Sequence, residues 1–391
     1  MLVTAEKKKI ANAQTGAARP VLLLTINNGA GHSRAAEAIA EAWSKNNPSI
    51  PARVVEVSGL MSPLARFTHV TAYLWLVKNF PALWDKIDRY QKRQTQTSPA
   101  WFYRRECRKL FKLAREIQPC AIVATEVGCC EIAALVKRDL QLKIPLVAVN
   151  VNYDADRAWI QPEIDFYCLA ADSIVRDFVE LGARSEQIAA WGVPMQAEFT
   201  TDFDRKKERW EVNKWLDLPS GLPLILVAGG GEGIGRIEEI VEELLHANRS
   251  AAIVVLAGKN EKLKRNCERL RKSSKHLRIL GWTNQVPQLL HAADVLISKL
   301  GNTFDEACAC GLPIIALPPP PGSERAQYEL LEKLGIGCAV KTPAEAAQVA
   351  AELLKNRIDL ERMRKNADEF ARREAAANLA LWIKEKLRRD E

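Results

Sequence analysis

Short, uninterrupted apolar runs alternate with amphipathic stretches along most of the chain. In the first half the runs are VLLLTI (21–26), ARVVEV (52–57), CAIVAT (120–125) and PLVAVNV (145–151). In the second they are PLILVAG (223–229), AIVVLAG (252–258), LRIL (277–280), DVLIS (294–298) and PIIALP (313–318). Most are near-continuous rather than alternating, which predicts strands covered on both faces, as in parallel sheets. Between them Ile237, Ile240, Val241, Leu244 and Leu245 share one helical face. Ala35, Ile39, Ala42 and Trp43 share another, on a helix predicted to stop at Asn46-Asn47-Pro48. Strand then helix, repeated through both halves, predicts an α/β chain with two parallel sheets.

At 391 residues the chain is long enough for two domains, each with its own core. We expect a flexible tail at 1–19, a first domain at 20–200, a second at 201–365, and a C-terminal helix at 366–391 that returns to the first. That helix is the end of a helical stretch read from about Ala344 to Arg389 with a break. The domains are expected to join through the polar stretch after Gly192-Val193-Pro194, along TTDFDRKKER. The first twenty residues have no apolar core of a signal peptide, and no run approaches the roughly 18 to 20 apolar residues of a membrane span. A cytoplasmic protein, held peripherally at a membrane, is the expectation.

Nine cysteines, an odd number with no C-x-x-C, argue against a disulfide framework, and five scattered histidines lack metal-ligand spacing. No metal site is expected, and the thiols are read as reduced and mostly buried. The surplus of charge is local. From Lys86 to Arg115 ten basic residues face two acidic ones, and that difference of eight equals the net +8 of the whole chain.

Three loops carry candidate chemistry. Asn28-Gly29-Ala30-Gly31-His32-Ser33 joins a strand to a helix, and a histidine at a helix start can act as a general base. It is not the dinucleotide fingerprint, because Arg34 stands where the third glycine would fall. Gly229 to Gly235 again follows a strand, and its bare backbone suits phosphate or domain closure, with a plain flexible turn as the alternative. The run Asp294 to Gln327 combines strand, Gly/Asn loop, helix, strand and a proline-closed loop. A helix N-terminus there would attract phosphate. Thr303-x-x-Glu306 reads as a capping box, which would be structural work enough for Glu306; as a ligand group it would accept hydrogen bonds from a ribose diol.

The basic segment is interleaved with rings: Tyr73, Trp75, Phe80 and Trp84 before it, then Tyr90, Trp101, Phe102, Tyr103 and Phe111. Such a pattern fits an anionic membrane surface, with Trp101, Arg104, Arg105, Arg108 and Lys109 as the expected contacts. The alternative is a helix pair whose rings are core and whose charges are solvated. Nucleic acid would use the same residue types but is not expected.

VLLLTINNGAGHSRAAEAIAEAW, Trp159, the Asp172 region, Gly192-Val193-Pro194-Met195, AGKNEKLK, LGWTNQVPQLLHAADVLISK and PGSE occur in one order over residues 20 to 360 or so. Together they resemble the monogalactosyldiacylglycerol synthase and processive diacylglycerol glucosyltransferase family. The resemblance implies a GT-B fold, two Rossmann-like domains facing a central cleft, and metal-free, inverting transfer of galactose or glucose from a UDP-sugar to diacylglycerol or a related lipid. No cofactor beyond the UDP-hexose donor is implied. It makes His32 the candidate base, with Gly29 and Gly31 shaping its loop. On the donor side it implies Thr283 near uracil, Gly301, Asn302 and Thr303 at the diphosphate, Glu306 at the ribose, and Ser323, Glu324 and Gln327 at the hexose, with Gly230 and Gly231 in the same site.

The chain departs from the family in three places. Val151-Asn152-Tyr153, followed by Asp156, replaces a Thr-Asp-Phe triplet and a histidine, so Asn152 is expected at the acceptor and Asp154 and Asp156 as the nearby acid/base groups. The turn after Lys299 is one residue shorter, and Gln327 replaces an asparagine. A different acceptor, a UDP-sugar epimerase, and a silent nucleotide-sugar or membrane-binding protein therefore stay open as alternatives.

Overall fold

The computed structural model describes residues 18–26, 30–80, 83, 84, 86, 87, 90, 92, 94–247, 250–319 and 325–389. The expected tail at 1–19 lies outside them except for its last two residues.

The apolar runs become two six-stranded, all-parallel sheets. The first contains β1 (Val21–Thr25), β2 (Ala52–Glu56), β3 (Ala121–Ala124), β4 (Leu146–Asn150), β5 (Phe166–Leu169) and β6 (Ile188–Ala189), ordered β2-β1-β3-β4-β5-β6. The second contains β7 (Leu224–Ala228), β8 (Ala252–Leu256), β9 (Leu277–Leu280), β10 (Val295–Ser298), β11 (Ile314–Ala316) and β12 (Gly337–Ala339), ordered β12-β11-β10-β7-β8-β9. Every residue of β1, β3, β4, β7, β8 and β10 is buried, as continuous runs require once helices cover both faces.

In each sheet the order reverses once, between β1 and β3 in the first and between β7 and β10 in the second. The crevice at such a reversal, outside the carboxyl ends of the strands, is where ligands bind in open α/β sheets. The helices α1 (Ala30–Asn46) and α2 (Asn302–Ala309) begin there, after β1 and β10 respectively.

The predicted helix faces are the buried ones. Ala35, Ile39 and Trp43 of α1 are fully buried, and so are Ile237, Val241 and Leu244 of the helix Ile237–Ala247. The charged stretch expected to link the domains is largely a helix, Arg205–Trp215, laid against the second domain. Its Arg205 and Arg209 are drawn in by backbone carbonyls of His291, Ala293, Cys310, Ala292 and Leu222. Arg209 also meets Asp294 at 2.6 Å, and Arg364 meets the same carboxylate at 2.8 Å.

The C-terminal stretch is three helices, Pro343–Lys355, Arg357–Phe370 and Ala375–Arg389. The last crosses to the first domain and packs on α1, where Trp382 stacks on Phe166 at 4.6 Å between ring centroids. An aromatic pair of this kind contributes about 0.5 to 1.5 kcal/mol beyond its buried area. At the crossing Arg373 donates to the carbonyl of Ala309 and Arg372 pairs with Asp172, tying the connector to both domains.

Candidate active site

The first wall of the cleft forms at the β1/β3 reversal. His32 lies in the first turn of α1, and its Nδ1 is 2.6 Å from the carbonyl oxygen of Thr125, just past β3. A carbonyl only accepts, so in the neutral ring the proton sits on Nδ1 and Nε2 is left as the acceptor. The Thr125 hydroxyl donates in return to the carbonyl of His32 at 3.0 Å, locking helix start to strand end. Gly29 lies outside the described residues.

After β4, Asn150 organises the next loop. Its side chain accepts from the Asn152 N–H at 2.7 Å and donates to the Asp154 carbonyl at 2.8 Å. Asn152 is half-buried there. The Asp154 carboxylate is engaged by Lys92 at 2.6 Å, and the Asp156 carbonyl accepts from Trp159 N–H to close a short turn.

The second wall forms at the β7/β10 reversal. Gly301 opens α2 with φ 78° and ψ −152°, a conformation open essentially to glycine alone. That position corrects the capping-box expectation. The N-cap is Gly301 without a side-chain cap, Thr303 is already inside the helix, and the Glu306 carboxylate goes elsewhere. Gln327 is buried and brackets Gly301: its Oε1 accepts from Gly301 N–H at 2.9 Å and its Nε2 donates to the Gly301 carbonyl at 3.2 Å. Gln327, expected at the hexose, and Gly301, expected at the diphosphate, thus brace each other in this loop. Helix geometry leaves the N–H groups of Asn302 and Thr303 without an intrahelical acceptor. Ser323 and Glu324 lie outside the described residues.

The glycine loop after β7 sits beside this turn. A Cβ placed on Gly230 would be 3.2 Å from Lys299 Cε, and one on Gly231 would be 3.2 Å from the Trp282 ring. Trp282 is exposed and carries the Lys259 ammonium 4.7 Å above its ring. Next to it the Thr283 hydroxyl accepts from Gln285 N–H at 3.1 Å. The structure therefore gathers Gly230, Gly231, Lys299 and Trp282 on one side of the second domain.

The two walls touch. The Asn302 side chain lies so close to Gly31 that any Cβ there would overlap it. One turn on, Tyr153 donates its hydroxyl to Asp305 Oδ1 at 2.6 Å, and Arg34 Nη1 meets Glu306 Oε1 at 2.9 Å. Burial pushes the Asp305 carboxyl up to about 7, with Tyr153 opposing and Glu306 adding to the rise. Burial also raises Glu306, and Arg34 opposes it. Sequence reasoning passed over Arg34, Tyr153 and Asp305 as functional groups. A signal was available in Tyr153, a hydroxyl at an apolar position of the family pattern, which needs a buried partner.

The basic segment divides. Among the expected contacts, Trp101 is 60% exposed, and Arg108 and Lys109 are exposed. Arg104 is paired with Asp139 at 2.7 and 3.0 Å, and Arg105 with Glu106 at 2.6 Å. Tyr103 is buried, its hydroxyl donating to Glu131 at 2.8 Å, so that ring belongs to the core. More exposed apolar side chains lie just before it in the chain: Leu64, Phe67, Trp75, Phe80 and Leu83 are each at least half exposed, with the Trp75 and Phe80 rings 5.4 Å apart. Among the described residues no helix is long and apolar enough to cross a membrane.

Two doubly wound sheets and a C-terminal helix returned to the first domain define the GT-B fold. Residues 32–195 match the family model for monogalactosyldiacylglycerol (MGDG) synthase and residues 224–370 that for glycosyl transferases group 1; the chain is a glycosyltransferase built from these two domains. It is similar to the processive diacylglycerol beta-glucosyltransferase of Bacillus subtilis (strain 168), 27% identical over 365 residues covering 90% of this chain and 91% of the relative. The enzyme of that name from Staphylococcus epidermidis (strain ATCC 12228) is 25% identical over 341 residues, 86% of this chain and 85% of its own. Among solved structures, MurG of Acinetobacter baumannii superposes with a TM-score of 0.60 at 14% identity, over 94% of this chain and all of its own. The UDP-GlcNAc 2-epimerase of Neisseria meningitidis bound to UDP-GlcNAc gives 0.61 at 13% identity, over 95% and 100%. At such identities these likenesses speak for the fold.

Proposed function

We propose that this glycosyltransferase moves galactose or glucose from a UDP-sugar to diacylglycerol or a related lipid at a membrane surface, with inversion at the anomeric carbon. The observation that carries the mechanism is the contact of Gly31 with Asn302, which sets His32 beside the start of α2. The acceptor hydroxyl gives its proton to His32 Nε2 as its oxygen bonds to the anomeric carbon. The bond from that carbon to the diphosphate oxygen breaks on the opposite face, and UDP departs with the electron pair. Negative charge growing on the diphosphate is met by the Asn302 and Thr303 N–H groups and the positive end of the α2 dipole, with no need for a metal ion. Gln327 keeps Gly301 in its unusual conformation and so aims that turn. Glu306 takes the ribose diol, Thr283 and its loop the uracil, and Ser323 and Glu324 the hexose.

The lipid arrives over the exposed face formed by Leu64, Phe67, Trp75, Phe80 and Leu83 with Trp101 nearby in the sequence, and the flanking cations favour anionic lipid. The test is incorporation of label from UDP-glucose and UDP-galactose into lipid, using vesicles that contain diacylglycerol. Labelled glycolipid, formed equally well with EDTA present, is expected. UDP binding without any labelled lipid would remove the lipid-transfer reading.

A further inference from the structure

Helix α2 turns one face toward the first domain. Asn302, Asp305 and Glu306, spaced i, i+3 and i+4, meet Gly31, Tyr153 and Arg34 in that order. The two carboxyls are adjacent, and both sit in a low-dielectric interface where ionising both is disfavoured. Their partners differ in kind. Asp305 receives a neutral phenol, and its Oδ2 is buried with no hydrogen-bond partner among the described residues. Glu306 receives a guanidinium, so the pairing places the single negative charge on Glu306.

The pairing is also one-sided. Arg34 Nη1 reaches Oε1 alone, and Oε2 has no partner among the described residues. The Glu306 side chain is 6% exposed, whereas Arg34, at 32%, reaches in from the rim. A vicinal diol seeks two acceptor sites on one ionised carboxylate, and this arrangement keeps the acceptor capacity of Oε2 for it.

We propose that Arg34 is a positioning residue for the donor: from the opposite domain it holds the Glu306 carboxylate charged and oriented for the ribose hydroxyls. The ribose is then gripped fully only when the two domains are together, which couples donor recognition to closure. This inference rests on the reading of Glu306 as the ribose contact.

The experiment compares UDP with 2′-deoxy-UDP by titration calorimetry on the full chain, its Arg34→Met, Arg34→Lys and Glu306→Gln variants, and the Arg34→Met/Glu306→Gln double variant. The native chain should favour UDP by about tenfold, the scale of one hydrogen bond to a charged group. Arg34→Met and Glu306→Gln should each erase that preference and leave 2′-deoxy-UDP nearly unchanged, the double variant should lose nothing more, and Arg34→Lys should restore part of it. In steady state Arg34→Met should raise KM for the UDP-sugar with little effect on kcat. Full ribose discrimination retained by Arg34→Met, or an equal loss for both nucleotides, overturns the proposal. A native chain that binds UDP and 2′-deoxy-UDP alike overturns instead the ribose role of Glu306, and one that binds neither overturns the donor reading itself.

Discussion

His32 reaches its proposed role through one short contact. The Thr125 carbonyl dictates which ring nitrogen carries the proton, and so which one can take a proton from an acceptor. Replacing His32 by alanine should lower kcat by about 10²- to 10⁴-fold, the usual worth of a positioned base. UDP affinity should hardly change, because the proposed donor contacts lie on the other wall; an unchanged rate in the glycolipid assay would exclude His32 as the base. The candidacy of this residue was legible from its place between a strand and a helix. Its tautomer was not, since Thr125 is 93 residues away and only sheet pairing brings it alongside. Glu306 carries the opposite lesson: its spacing from Thr303 matches a local cap, yet Gly301 starts the helix and a cation from the other domain takes the carboxylate.

At the scale of elements, strands were the easiest features to read. The nine apolar runs all became strands, with ends trimmed by a residue or two. The three that escaped, Phe166–Leu169, Ile188–Ala189 and Gly337–Ala339, are short segments of two to four residues, and the last two are edge strands. In the two edge strands too few residues remain for a pattern to emerge, and pairing with a formed neighbour makes the strand; Phe166–Leu169, by contrast, lies in a continuous apolar run, FYCLAA, as long as those that were read. The basic aromatic segment shows a related limit. Tyr103 and Trp101 are two positions apart on one helix, so they point to different sides, and one is core while the other is exposed. Membrane attachment is therefore predicted to depend on the preceding segment. Phe67→Glu with Trp75→Glu should reduce pelleting with anionic vesicles strongly, and Arg104→Glu, whose cation is already paired with Asp139, much less. Equal pelleting by all variants would refute that face as the docking surface.

At the scale of the whole molecule, the interface between domains contains a titrating group. Asp305 is pushed up to about 7, above the roughly 3.9 of an unfolded aspartate. Between those values the folded chain retains a proton that the unfolded chain has released, so this group's contribution to stability is lost as pH rises from about 4 to 7. Asp305→Asn should remove that slope, and its melting temperature should gain on the native chain across the same window and stay ahead above it. Parallel melting curves at every pH would show that Asp305 is already ionised in the folded protein.

The order of apolar runs, the glycines between strand and helix, and His32 at a helix start determined by themselves the two-sheet architecture and the loops where chemistry belongs. These are local consequences of periodicity and backbone freedom, and they survive in any context. Only the tertiary structure decided which polar groups meet: Arg34 with Glu306, Tyr153 with Asp305, Gln327 with Gly301. Each pair is formed by burial of groups distant in sequence, and each buried polar atom takes the partner that packing brings within reach.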